Sequence, residues 1–454
     1  MKHPLLYLAV VGGGILSLVG TLTAFPRPSY SELERRDLKV FPTLSWQSLS
    51  SGDFTENVSE WFSDTEPFRD VLLQGAMWFR GNVGITMPGD QVRYLKEADA
   101  PEQGEDKTQA DTEDEPEGGE DEYAKAARAG IVLVGKGDKV RALMGFFASE
   151  KYGLLYAKVV NQYQQVLGDS VQVYCMPIPT STEFYLPEGI STKIKKQRPF
   201  IDAIFSSLSG GAKAVDIYDI LKEHKREAIY LRTDHHWAPL GAYYAASVFA
   251  KEAGVPFRDL SHYQADTVHR YVGTMYGYSK DISVKNAPED FVWFKPKDAE
   301  YTTSYIKYSL CKQYHITGER PWRDGPFFYP RKDGEASAYQ TFMNSDGVVC
   351  RVRTSVGNGR RLIILKDSFG NALPGYLFYS FEEIHVIDGR YFTKNLVSYV
   401  KENHITDVLF ANNTGLCCSS FILGNYRRYL TQKHYSYCHT DHDKESAKDS
   451  TSTQ

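Results

Sequence analysis

The sequence predicts an α/β fold, a three-layer α/β/α sandwich around a mostly parallel sheet. Three observations carry this. Short apolar runs read as strands: VQVYCMPIP (171–179), RRLIILKDSFG (360–370), IHVIDGRYF (384–392) and DVLFANNT (407–414). Helical patterns over 150–166, 195–208, 239–253 and 395–403 alternate with them, and apolar strands separated by helices form a parallel sheet covered on both faces. Finally, 454 residues with 42% hydrophobic and 24% charged content exclude a disordered, collagen-like or disulfide-saturated chain and suffice for a large core.

The elements follow in order. Residues 5–25, LLYLAVVGGGILSLVGTLTAF, are an uncharged apolar run after Lys2 and His3. The run is long enough to span a bilayer and also resembles a secretory leader. Residues 1–25 are therefore expected to be a signal peptide or an N-terminal membrane anchor. That makes the protein extracytoplasmic, in the periplasm or cell envelope, with membrane contact at its N-terminus. Residues 26–96 read as a Pro/Ser-containing spacer followed by a helical segment. Its apolar positions are Phe54, Val58, Trp61 and Phe62, then Phe68, Val71, Leu72 and Trp78, with a break at Asp64 and Thr65.

Residues 97–122 carry thirteen acids and one base, Lys107, a local charge of −12 against −5 for the whole chain; the remainder is +7. The acidic stretch, taken as 97–128, cannot repay its ordering entropy and is expected to be a disordered insertion. It has no Asp-x-Asp-x-Asp-Gly spacing for calcium. A charge of +7 spread over the rest is too dilute for nucleic acid. The main domain spans 129–440. It opens with IVLVGKG (131–137), a strand and turn, and includes AVDIYDIL (214–221), a strand then a helix. The helix over 239–253 has Pro239 at its start and Gly254 after its end. Residues 255–358 are less regular and rich in Tyr, Trp and Pro, and 441–454 form a polar, disordered tail. The six cysteines, Cys175, Cys311, Cys350, Cys417, Cys418 and Cys438, include no Cys-x-x-Cys, which argues against thioredoxin-like and zinc-ribbon readings. Cys175, in an apolar run, reads as a buried thiol, and the later cysteines could pair in an exported chain.

Two segments could carry chemistry. One is Thr233-Asp234-His235-His236-Trp237, just before the helix opened by Pro239; the other is Lys366-Asp367-Ser368-Phe369-Gly370-Asn371, at the exit of an apolar strand. Ligand sites of open α/β sheets lie at the carboxyl ends of strands, and backbone N–H groups of such a turn can face a developing oxyanion. Ser368 at that place is either a nucleophile or a helix N-cap. A serine nucleophile needs a base, and a histidine serves when a carboxylate fixes its tautomer. Asp234 and His236 leave one short loop together and supply both groups. A metal reading competes, since Asp234, His235 and His236 are all ligand types. Adjacent histidines are expected to point apart, however, and no further cluster completes a site.

The segment IYLRTDHHWAPLGAYYA (229–245) resembles the signature of the bacterial DHHW protein family, related to the SGNH-hydrolase-like domain of the alginate O-acetyltransferases AlgX and AlgJ. FTENVSEWFSDTEPFRD (54–70), VGTMYGYSKD (272–281), LIILKDSFGNAL (362–373) and VIDGRYF (386–392) resemble further blocks of that family. The resemblance implies an SGNH-hydrolase-like fold with Ser368 as nucleophile, His236 as base and Asp234 as its orienter. Lys366 stands where the Gly-Asp-Ser pattern has glycine. The Ser368 N–H would be one oxyanion donor, with Gly273, Thr274 or Asn412 as another. His235 and Trp237 would line the substrate side, and Arg390 would either bind an acidic sugar or form a structural salt bridge. The implied function is an exported serine-dependent O-acetyltransferase or acetylesterase acting on a cell-surface or secreted polysaccharide. A membrane O-acyltransferase would be the acetyl donor, and no cofactor is implied. The alternative is a non-catalytic glycan-binding or assembly protein on a degenerate scaffold.

Overall fold

The computed structural model describes residues 24–31, 36–73, 92–94, 130–188, 193–311 and 315–437, together with 12–14, 17, 20 and 75. The acidic insertion, most of the N-terminal apolar run, Cys438 and the tail lie outside the described residues. Among the described residues no helix is long and apolar enough to cross a membrane.

The chain divides into two units, Met1–Asp90 with Tyr276–Asn286 and Gln91–Met275 with Ala287–Gln454. In the first, the segment read as a spacer contains a helix, Trp46–Ser51, opened by a reciprocal Ser45–Ser48 capping box. A second helix, Asp53–Asp64, stops at Thr65, where the sequence places a break. The Arg27 guanidinium lies 4.5 Å from the ring centroids of both Trp61 and Phe62.

The second unit is built on an eight-stranded sheet. Its elements in chain order are α1 (Glu150–Leu167), β1 (Gln172–Ile178), α2 (Arg198–Ser206), β2 (Lys213–Ala214), α3 (Pro239–Ala253), β3 (Tyr263–Tyr271), β4 (Glu289–Pro296), β5 (Tyr301–Leu310), β6 (Ile316–Asp324), β7 (Val348–Thr354), β8 (Arg361–Lys366), β9 (Glu383–Asp388), α4 (Leu396–Glu402), β10 (Asp407–Asn413) and α5 (Ser420–Thr431). Across the sheet the order is β6-β5-β7-β9-β8-β10-β1-β2. The pairings from β9 through β8, β10 and β1 to β2 are parallel. Those joining β6, β5, β7 and β9 are antiparallel. This antiparallel flank and the β3–β4 pair come from the stretch that looked irregular in sequence. Its strands mix exposed polar and aromatic positions, so they lack the apolar run of a doubly covered strand. IVLVGKG forms the expected strand and turn, and its strand Val132–Val134 joins a separate three-stranded antiparallel sheet.

Side chains alternate across the central strands. Val173, Cys175, Ile363, Leu365, Val408 and Phe410 pack into one core with residues of α1, α2, α4 and α5. Tyr174, Met176, Leu362, Ile364, Leu409 and Ala411 pack into the other with α3. The sheet therefore has a core on each face. The five described cysteines are free thiols, with Cys175, Cys350, Cys417 and Cys418 buried.

One polar cluster inside this architecture is expected to titrate with stability. Buried His385 places Nε2 2.9 Å from Glu383 Oε1 and Nδ1 2.7 Å from the Tyr399 hydroxyl. Arg353 donates to Glu383 from β7 (3.3 Å). Burial pushes the Glu383 carboxyl up, but the His385 hydrogen bond and charge and the Arg353 charge outweigh it and bring it from 4.5 to about 2. A carboxylate with a depressed value adds stability above its unfolded value and loses it as pH falls through its folded value. Glu383→Gln should therefore melt below wild type above about pH 5. That margin should close between 4.5 and about 2; thermal melts across this range check it.

Candidate active site

The Asp234 loop is a tight excursion between β-bridged Tyr230 and Trp237. Arg141 donates to the Tyr230 and Leu231 carbonyls (3.2 and 2.9 Å) and ties the entry of the loop to the small sheet. The helix α3 starts just beyond it, with Pro239 at its first position, where no amide donor is needed. Trp237 is fully buried and donates from Nε1 to the Phe369 carbonyl (2.8 Å). This corrects its expected place on the substrate side: Trp237 anchors the loop to the serine turn from within the core.

Ser368 opens a 3₁₀ turn, Ser368–Ala372, at the carboxyl end of β8. The cap of that turn is Asp367, whose Oδ1 accepts the Phe369 N–H (2.8 Å). Asp367 Oδ2 accepts the Asn413 N–H (2.6 Å) and so binds the turn to the end of β10. Capping thus falls to the preceding residue, and the half-buried Ser368 side chain is left to another partner. Its Oγ lies 2.7 Å from His236 Nε2, and His236 Nδ1 lies 2.6 Å from Asp234 Oδ1.

Asp234 is held on both oxygens. Oδ1 also accepts the His236 N–H (3.0 Å), and Oδ2 accepts the Tyr271 hydroxyl (2.7 Å), the Thr274 N–H (2.9 Å) and the Thr274 hydroxyl (3.1 Å). Burial alone would raise its carboxyl. The charge and hydrogen bond of His236, the charge of His235 and the Thr274 N–H hold it well below the ordinary carboxylate range instead. An ionised Asp234 only accepts. His236 therefore carries its proton on Nδ1 and offers the Nε2 lone pair to the Ser368 hydroxyl.

The N–H groups of Gly273 and Thr274, expected to face an oxyanion, are committed elsewhere. Gly273 donates to Thr233 Oγ1 (3.1 Å) and Thr274 to Asp234. The Thr274 N–H holds the carboxylate and the Gly273 N–H holds Thr233, and close approach requires glycine: a Cβ on Gly273 would meet Asp234 Oδ2 at 2.4 Å. The Thr233 hydroxyl donates in turn to part-buried Glu289 (2.6 Å), which also accepts the Arg232 and Thr233 N–H groups. Asn412 is fully buried, and its Oδ1 accepts the Tyr156 and Tyr426 hydroxyls (2.8 and 2.9 Å). Its Nδ2 has no partner among the described residues. The Ser368 N–H sits in the first turn of its helix, where helix geometry supplies no acceptor.

The two histidine rings do not point apart as expected; their centroids are 3.7 Å apart. His235, with a side chain 20% exposed, places Nδ1 2.6 Å from Thr274 Oγ1. Ligand-type atoms of Asp234, His235 and His236 do fall within 4.8 Å of one another. A metal ion there would have to take one nitrogen of His236 from its present hydrogen bond, either Nδ1 from Asp234 or Nε2 from Ser368.

Beside Ser368 lies a compensated charge cluster. Lys366, the residue at the glycine position, is buried with Nζ 2.8 Å from Asp388 and 3.4 Å from Asp346. Arg390 pairs with Asp388 through Nε (2.7 Å) and with Asp346 through Nη2 (3.0 Å). Arg390 thus forms the structural salt bridge that the sequence left as one of two readings. Partial burial would raise Asp346, but the charges of Lys366 and Arg390 hold it low. Asn371 donates from Nδ2 to the same carboxylate (2.8 Å).

Fold and site together define an α/β protein with a hydrogen-bonded serine, histidine and aspartate at the carboxyl end of its sheet. A family model described as "DHHW protein" matches residues 103–387, and the chain belongs to that family. It is similar to a solved DHHW family protein from Eubacterium siraeum, with 34% identity, TM-score 0.59 and coverage of 67% of this chain and 96% of that one. It shares a fold with Bacillus cereus PatB1, solved with a sulfonyl adduct, at 19% identity and TM-score 0.51 over 64% of this chain and 96% of that one. The likeness to the O-acetyltransferase domain of Pseudomonas putida AlgJ has 13% identity and TM-score 0.38 over 66% of this chain and 98% of that one, too low to carry an argument. No curated protein matches.

Proposed function

We propose that this protein is an exported serine-dependent O-acetyltransferase or acetylesterase acting on a cell-surface or secreted polysaccharide, on an SGNH-hydrolase-like scaffold. The observation that carries the reading is the 2.7 Å contact between Ser368 Oγ and His236 Nε2, with the imidazole oriented by a buried, ionised Asp234. In the first half-reaction Ser368 Oγ attacks the acetyl carbonyl carbon while His236 takes its proton. The tetrahedral intermediate collapses, and the donor alkoxide leaves with that proton, giving an acetyl-serine. In the second, an acceptor hydroxyl attacks, His236 takes its proton, and Ser368 Oγ departs and recovers it. A sugar as acceptor makes a transferase, and water makes an esterase.

The Ser368 N–H is the proposed oxyanion donor. His235, partly exposed, is proposed to face the acceptor. Export is inferred from residues 5–25, and a membrane O-acyltransferase is the proposed acetyl source. The sulfonyl adduct carried by the solved Bacillus cereus PatB1 agrees with a nucleophile in this fold. A scaffold used only for glycan binding has no need of a three-member relay at hydrogen-bond distance, which favours the enzyme.

The test incubates the protein with an activated acetyl ester and a panel of oligosaccharides, with and without chelator. The reading expects acetylated sugar or free acetate, formed at a rate that chelator leaves unchanged. Polysaccharide binding with no turnover would overturn it, and so would chelator-sensitive turnover.

A further inference from the structure

We propose that Tyr339 is a positioning residue of this centre, its ring stacked on the His236 imidazole to hold the base in line between Asp234 and Ser368. The inference rests on the acyl-transfer reading for its consequence and on geometry for its substance. Tyr339 lies in a 3₁₀ turn, Ala338–Thr341, about a hundred residues from the Asp234 loop. Its ring centroid is 3.9 Å from that of His236, with an interplanar angle of 5°. Its hydroxyl donates to the Phe369 carbonyl (3.0 Å), the carbonyl that also accepts from Trp237. One side chain therefore touches the base and the residue following the nucleophile. The ring is itself braced edge-on by Phe291 and Phe342, at 6.1 and 6.0 Å.

His235 also lies against the imidazole, with ring centroids 3.7 Å apart and a tilt of 38°. Free rotation of the ring would break the bond to Asp234 and the bond to Ser368 together. A flat aromatic face at van der Waals distance removes that freedom without adding a competing polar partner. During acyl transfer His236 becomes a cation, and a cation over an aromatic face in a dry site is stabilised by the ring quadrupole. The stack thus favours the transition state over the resting state, and its loss should lower kcat rather than raise KM.

The test compares the full-length protein with Tyr339→Phe and Tyr339→Leu, after thermal melts establish that each variant folds. The direct readout is the low-field proton NMR signal of the His236 Nδ1–H, which needs no turnover. It should be sharp in wild type and in Tyr339→Phe, which keeps the ring, and broadened or lost in Tyr339→Leu. Acetyl transfer from an activated ester should show the same order. Tyr339→Leu is expected to lose about tenfold in kcat with KM unchanged, with Tyr339→Phe restoring most of it. A folded Tyr339→Leu variant with a sharp signal and wild-type kcat would overturn the proposal. The expected order of NMR signals in a wild-type protein that transfers nothing would support the positioning role and defeat the acyl-transfer reading instead.

Discussion

Ser368→Ala should abolish acetyl transfer, with a fall of about 10⁶-fold, the scale seen when a serine nucleophile is removed from such a relay. The fold should be unaffected. Ser368 is half-buried, its Oγ bonds to His236, and the 3₁₀ turn is capped by Asp367. Removing the hydroxyl leaves the cap, the Phe369 carbonyl clamp and the β8 ladder intact. Melting temperature should stay close to wild type while the rate collapses. That pair of measurements separates a chemical role from a structural one: a variant that melts early would lose activity for a trivial reason. Residual turnover would report what oxyanion donors and binding contribute alone.

The second large effect is expected from Asp234→Asn, a fall of about 10⁴-fold. The carboxylate makes His236 carry its proton on Nδ1. A carboxamide turned to donate to Nδ1 would reverse the tautomer, and Nε2 would then present a proton to Ser368 instead of a lone pair. The other oxygen accepts the Tyr271 hydroxyl and the Thr274 N–H. Those are donors, and an amide NH₂ facing them would be unsatisfied, so the surviving orientation places the amide nitrogen at the imidazole. Kinetics of acylation with an activated ester read the effect. A loss of less than about tenfold would mean that Asp234 serves only the loop.

The sequence and the structure agree most where one element carries the information by itself. The parallel strands stand out because residues such as Ile363, Ile364 and Leu365 are apolar on both faces, as a doubly covered strand requires. Ser368 stands out at the exit of such a strand and Asp234 and His236 in the loop just before α3, and the fold brings all three within hydrogen-bond distance. What stayed hidden depends on contacts between distant segments. Gly273 and Thr274 looked like oxyanion donors, and only the fold reveals the Asp234 carboxylate taking the Thr274 N–H. Trp237 looked like a site residue because of its neighbours, whereas its side chain runs inward to Phe369. Tyr339 carries no local signal, being one of thirty-one tyrosines in a stretch without periodicity. Lys366 appeared as a departure from a glycine; in the fold it is a buried cation answered by Asp388 and Asp346. The antiparallel flank was illegible because its strands are only partly covered.

The central claim is that Ser368 accepts an acyl group with the help of His236. It is tested most directly by intact-mass measurement of the protein after brief exposure to an activated acetyl ester, followed by peptide mapping. The expected result is a single acetyl adduct on Ser368, absent in Ser368→Ala and strongly reduced in His236→Ala. A folded wild-type protein that gains no adduct, or gains it equally in the Ser368→Ala variant, would contradict the account.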